Sequence, residues 1–135
     1  MEATVEQINE AFAGLLPGYL GMKVESAASD VVVGSLVVEE KLCTTGDILH
    51  GGAMMTLADT LGAVVAFLNM APNTRTNTVE SKTNFLKAAK IGTKVTATCK
   101  LVNKGRTMAL LMTEIRDHDN RLLAVVSQSQ IMLPA

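Results

Sequence analysis

The chain has 135 residues, enough for one domain and one core, with no length left for a second. A hydrophobic share of 48% excludes a disordered polymer. With 12 basic and 13 acidic residues the net charge is -1, so no positive field exists to hold a nucleic-acid backbone, and the few aromatics (Tyr19, Phe12, Phe67, Phe85) make no base-stacking platform.

Residues 4–16 carry Val5, Ile8, Phe12 and Leu15 on one stripe, which predicts a short helix stopped by Pro17-Gly18. This leading segment is polar and acidic, unlike a signal peptide. Residues 31–38, VVVGSLVV, are a β-branched run and predict a strand. Residues 41–49 read as a loop around Thr44, Thr45, Gly46 and Asp47. Residues 50–69 predict one long central helix, nearly all small or apolar, and a helix apolar on every side is expected to be buried on every side. Its longest apolar stretch, residues 53–68, is broken by Thr56, Asp59 and Thr60 and is expected to be too short for a membrane span.

Residues 77–86, 94–102, 108–116 and 122–132 predict four further strands. Compact turns, Asn103-Lys104-Gly105-Arg106 and Asp117-His118-Asp119-Asn120, join the last three and imply antiparallel pairing. The order predicts a single α+β domain over residues 1–135, a curled antiparallel sheet around one central helix. Cys43 and Cys99 lie outside any C-x-x-C, and His50 and His118 share no ligand spacing with them. Neither a disulfide scaffold nor a metal site is expected, and the expected location is the cytoplasm, away from membranes.

Two features point to chemistry. Leu49-His50-Gly51-Gly52 opens the long helix, where first-turn amides have no intrahelical acceptor and glycine lets a ligand approach the backbone. An amide so placed can stabilise a developing oxyanion. Asp59 is the only charged residue between Asp47 and Arg75, and a carboxylate in apolar surroundings suits a base or a nucleophile. Gly51 and Asp59 are eight residues apart, so about 12 Å along a helix. Both must lie within about 3 Å of one reacting group, which a single straight helix does not allow. Two antiparallel copies across a two-fold axis do allow it, so a site built from these residues is expected to be a dimer site.

His50-Gly51-Gly52, Leu57-Ala58-Asp59, Asn84-Phe85-Leu86-Lys87-Ala88-Ala89 with Gly92, Gly105-Arg106-Thr107 and Leu123-Ala124 together resemble the hotdog-fold acyl-CoA thioesterases of the phenylacetate-degradation (PaaI-like) type. The resemblance runs from about residue 36 to residue 132 and implies hydrolysis of an acyl-CoA thioester by a homodimer or a dimer of dimers, without a cofactor. It implies that Asp59 is the nucleophile or the general base, that the Gly51 amide polarises the thioester carbonyl, that His50 and Gly52 shape the site beside it, and that the Thr78 hydroxyl orients water. Thr44 stands where many members carry Asn or Gln near the thioester. Asn103, Lys104, Gly105 and Arg106 resemble the turn near the nucleotide and pantetheine, and Lys87, Lys90 and Arg106 suit phosphates. Met54 and Met55 suit an adaptable acyl pocket. Two other readings fit such a chain: a non-catalytic acyl-CoA-binding module, and a dehydratase or hydratase acting on acyl thioesters. The second usually carries a His-Phe-Pro or an Asp-then-His pattern, which this sequence lacks.

Overall fold

A computed structural model describes residues 1–135 and contains three α-helices and eight strands. In chain order these are α1 (Val5–Phe12), α2 (Leu16–Tyr19), β1 (Lys23–Ala27), β2 (Val31–Val37), a 3-10 turn (Glu40–Leu42), β3 (Cys43–Thr44), β4 (Ile48–Leu49), α3 (Gly51–Leu68), β5 (Thr74–Phe85), β6 (Lys94–Lys104), β7 (Met108–Arg116) and β8 (Leu122–Pro134). Six strands form one antiparallel sheet in the order β1-β2-β6-β7-β8-β5. The sheet wraps α3, which packs against all six strands, so the expected α+β architecture is the observed one.

The core lies between α3 and the sheet. Leu57, Leu61 and Val65 on the helix are fully buried, as are Val32, Val95, Leu111, Ile115 and Val126 on the strands. Truncating one such leucine to alanine costs about 2–5 kcal/mol, through lost transfer energy and the cavity left behind.

Several expectations need correction. The first helix ends at Phe12, and Pro17-Gly18 belongs to the first turn of α2 rather than acting as a stop, because proline's missing N–H is unpaired there anyway. β1 was not expected. Only Val24 of its five residues is buried, so its sequence carries little alternation. The loop predicted over residues 41–49 is a tight hairpin, β3 against β4, turning through Gly46 and Asp47 at φ 85° and 58°. β5 begins three residues earlier than expected, at Thr74.

The central helix holds the expected span, with His50 and Asn69 as caps, but it is not buried all round. Gly52, Met55 and Asp59 are exposed and follow one another along one stripe. Length and a mean hydropathy of 1.5 alone would let this 18-residue helix pass for a membrane span, but half of it is enclosed within the protein, as the core helix of a globular fold is.

β5 places one face of the site. It is one of the sheet's two edge strands, paired only with β8, and a bulge between Thr78 and Glu80 shifts the register there. A bulge adds an unpaired residue and re-aims the side chains around it. On β8, Val126, Gln128, Gln130 and Met132 alternate onto the buried side.

Candidate active site

The start of α3 is held by an unusual cap. His50 is the N-cap, and its Nδ1 accepts the backbone N–H of Gly52 at 2.7 Å. That bond requires a lone pair on Nδ1, so the proton of the neutral ring sits on Nε2. The His50 carbonyl takes the N–H groups of Ala53 and Met54. Gly51 is therefore the first-turn residue whose amide no protein acceptor takes. A Cβ at Gly51 would stand 2.9 Å from Cε1 of Phe85, so the missing side chain is what lets that ring lie over the helix start.

Gly51 opens into a cleft of about 340 Å³ lined by Thr44, Leu49, Met54, Phe85, Leu86, Lys87 and Ala88, among others. The structure thus brings together three residues predicted separately: Gly51, Thr44 and the acyl-pocket candidate Met54. Met55 faces away, on the exposed stripe.

Asp59 lies two turns further along α3 and has its own surroundings. Its Oδ1 accepts a hydrogen bond from the Thr78 hydroxyl at 2.6 Å and another from Nε2 of Gln128 at 2.6 Å. Thr78 is itself approached by donors, Nε2 of Gln130 at 2.7 Å and Nε2 of Gln128 at 3.2 Å. With donors on its other sides, the single hydroxyl hydrogen of Thr78 goes to Asp59. Oε1 of Gln130 accepts the Thr76 hydroxyl at 2.9 Å. The result is a directed chain from Thr76 through Gln130 and Thr78 to one oxygen of Asp59. Both donors go to Oδ1, and the carboxylate's Oδ2 takes none from the protein.

Gln128 and Gln130 were not foreseen. Their signal was present: two glutamines at alternate positions of an otherwise apolar row, on the side of β8 that a period of two assigns to the core. Buried polar side chains at core register call for a partner, and here they find Asp59 and its holder.

Gly51 and Asp59 are not brought together within one chain; they stay eight residues apart on one helix. Asn103 and Lys104 end β6, and Gly105 and Arg106 form the turn, with the Gly105 N–H donating to the Met108 carbonyl at 2.7 Å. Lys104 Nζ donates to the Asn69 carbonyl at 2.9 Å, which ties this turn to the C-terminal end of α3, opposite Gly51. A cation there also complements the negative end of the helix dipole. Neither cysteine is an activated nucleophile. Burial pushes the Cys99 thiol up to about 11, and burial with the nearby Asp47 and Glu40 raises Cys43.

The comparisons with known proteins fit this geometry. The family model described as the thioesterase superfamily matches residues 46–124, from the turn before α3 into β8. The 1,4-dihydroxy-2-naphthoyl-CoA hydrolase of Escherichia coli is 27% identical over 119 residues, 88% of this chain and 87% of that one. Among solved structures, a thioesterase from Haemophilus influenzae superposes with a TM-score of 0.93 at 23% identity, covering 99% of this chain and 93% of the other. The PaaI protein of the Escherichia coli phenylacetic acid degradation operon superposes with a TM-score of 0.82 at 19% identity, over 88% and 84% of the two chains. These likenesses fix the hotdog fold, and the match across the helix that bears Gly51 and Asp59 shows that the chain belongs to the thioesterase superfamily, the thioester hydrolases.

Proposed function

We propose that this thioesterase hydrolyses acyl-CoA thioesters to free acid and CoA, as a homodimer whose every site takes Asp59 from one chain and Gly51 from the other. The observation that carries the reading is the pairing of an unclaimed first-turn amide with a carboxylate that keeps one oxygen free. Water adds its oxygen to the acyl carbon, and the C–S bond breaks to release the thiol. As the carbonyl oxygen gains charge, the Gly51 N–H donates to it in a position prepared before the reaction begins. Asp59 either takes the proton of the attacking water or attacks the carbonyl first, with water then cleaving the anhydride. Thr78 holds the carboxylate in place for either route.

The CoA assignment draws on the relative that hydrolyses a naphthoyl-CoA and on the shape of the surface. A second cleft of about 550 Å³ begins where the Gly51 cleft ends, sharing Lys87 and Ala88, and is lined by Lys90, Thr93, His118 and Arg121 as well. An apolar channel leading from the amide to a cluster of cations suits pantetheine followed by phosphates. Arg106 sits at the far end of α3. If partner helices run antiparallel with Gly51 beside Asp59, the partner's turn comes to the same side as the ligand.

Dimerisation is supported by what one chain leaves uncovered. The exposed stripe of α3 with Met55 and Asp59 lies next to the free edge of the 12-residue strand β5, where Val79 is half exposed. A long unpaired edge is a template for another strand. We also assign the enzyme to the cytoplasm, where Cys43 and Cys99 would remain the free thiols they are in this fold.

The test is release of thiol from a panel of aromatic, branched and medium-chain acyl-CoAs by the purified protein, followed with a disulfide reagent. Turnover that disappears in Asp59→Asn supports the reading. Absence of thiol release across the panel, or full turnover by Asp59→Asn, overturns it.

A further inference from the structure

Gln128 is 1% exposed, yet Oε1 of its amide meets no hydrogen-bond donor. A buried acceptor without a partner costs about 1–3 kcal/mol. Turning the amide over would not relieve it, because the oxygen would then face the carboxylate of Asp59 in place of the donor now 2.6 Å away. The orientation is therefore dictated by Asp59, and the orphaned oxygen is its consequence.

The helix makes a matching concession. Oε1 of Gln128 lies against Gly62, in the middle of α3, where a Cβ would come within 2.0 Å of that oxygen and 2.6 Å of the amide carbon. Glycine inside a helix costs about 0.5–1 kcal/mol relative to alanine. Gly62 opens the gap through which the Gln128 side chain passes across the helix to Asp59. Two unfavourable features, an unpaired buried acceptor and a mid-helix glycine, thus serve one contact. A valine at 128 would suit both the strand and the core better, so stability alone does not account for the glutamine.

We propose that Gln128, admitted by Gly62, is the positioning residue that fixes the rotamer of Asp59 and leaves Oδ2 as its reacting oxygen. The proposal rests on Asp59 acting in thioester hydrolysis. The donors at Oδ1 come from two different strands, Thr78 on β5 and Gln128 on β8, so the carboxylate is held from two directions. With Gln128 gone, only the Thr78 hydroxyl remains. The carboxylate can then rotate about that single bond, and a displacement of about 1 Å at a reacting atom is enough to cost on the order of 10²-fold in rate. Gln128 itself is 1% exposed and offers no surface to a ligand, so its loss should change KM little.

Three variants test this. Gln128→Val removes the amide and leaves a strand-forming side chain. Gly62→Ala leaves Gln128 intact and displaces it, so it reports on the same contact if Gln128→Val fails to fold. Asp59→Asn reports on the underlying reading. The expected result is a fall in kcat of about 10- to 100-fold in both Gln128→Val and Gly62→Ala, with KM within about twofold of wild type. In the double variant, Gly62→Ala should lower kcat no further, because the side chain it displaces is already gone, while the new methyl fills vacated space and raises Tm. Wild-type kcat in either single variant when folded, or a loss that appears only in KM, overturns the positioning role. If Asp59→Asn is inactive and Gln128→Val is not, the positioning role alone falls. If Asp59→Asn is fully active, the catalytic reading falls with it.

Discussion

Gly51 and Asp59 ride the same straight helix eight residues apart, about 12 Å along its axis, and each faces a different set of neighbours. Mixing two inactive variants reads whether they meet across a dimer. Asp59→Asn removes the carboxylate. Gly51→Pro removes the amide hydrogen, and proline fits the first turn because His50 before it is already extended, at φ -61° and ψ 135°. A Cβ added at Gly51 meets the half-exposed ring of Phe85, which has room to move. Random exchange of subunits makes about half the dimers mixed, each with one intact site, so activity should recover toward roughly a quarter of wild type. No recovery, with exchange and folding confirmed, would refute shared sites.

Asp59→Asn should keep the fold, since the amide has the same size and its oxygen still accepts from Thr78 and Gln128. The rate should fall by about 10²–10⁴, the usual worth of a positioned base, or by more if Asp59 attacks the carbonyl itself. Steady-state kinetics beside a melting curve check both halves of that expectation.

The two groups of cations make separable predictions. Lys87→Ala with Lys90→Ala should raise KM for acyl-CoA and leave kcat nearly unchanged, the mark of lost uniform binding. Arg106→Ala should do the same if the partner's turn reaches the ligand. Neither change should matter for a truncated thioester that lacks the nucleotide. An equal loss on both substrates would remove the phosphate assignment.

Acid stability should depend on the β7–β8 turn. Burial would raise the carboxyl of Asp117, but the Arg121 backbone and side chain, with the Asp119 N–H, outweigh it and hold the group below its ordinary value. Its oxygens accept from the Asp119 N–H at 3.0 Å, the Arg121 N–H at 2.9 Å and Arg121 Nε at 2.7 Å. A depressed carboxyl contributes stability that is present above the unfolded-state value, about 3.9, and is lost as pH falls through the folded-state one. Below about pH 4 the Tm of the wild type should therefore drop more steeply than that of Asp117→Asn. Parallel slopes in the two proteins would contradict this.

Much of this architecture could be read from the chain because period and turn chemistry coincide. Residues 50–69 and the four later strands announced themselves by apolar runs between turns. β1 did not, since a short edge strand with one buried residue carries almost no alternation. The site divided in the same way. His50, Gly51 and Asp59 stood out as a glycine-rich helix start and a lone acid. Gln128 and Gln130 were hidden because each reaches its partner across the sheet or the helix, over sequence separations that periodicity does not encode. The exposed stripe on α3 was also hidden, because an all-apolar sequence does not say which of its faces the sheet leaves open.

The position of α3 in the chain sets an order of events during synthesis. The most apolar segment, Gly51–Leu68, precedes four of the six strands that enclose it, and the strand that completes the Asp59 cluster, β8, is made last. At about 5–20 residues per second, roughly 3–13 s separate the synthesis of Leu68 from that of Pro134, where β8 ends. At the start of that interval only β1 and β2 are available to cover the helix, and the first residue of β5 waits for a neighbour sixty residues downstream (Thr74 pairs with Pro134). A nascent chain stalled before residue 122 would hold Gly51 and Asp59 but neither glutamine. Its central helix would lack most of its sheet, and its Asp59 carboxylate would lack the donor that β8 supplies.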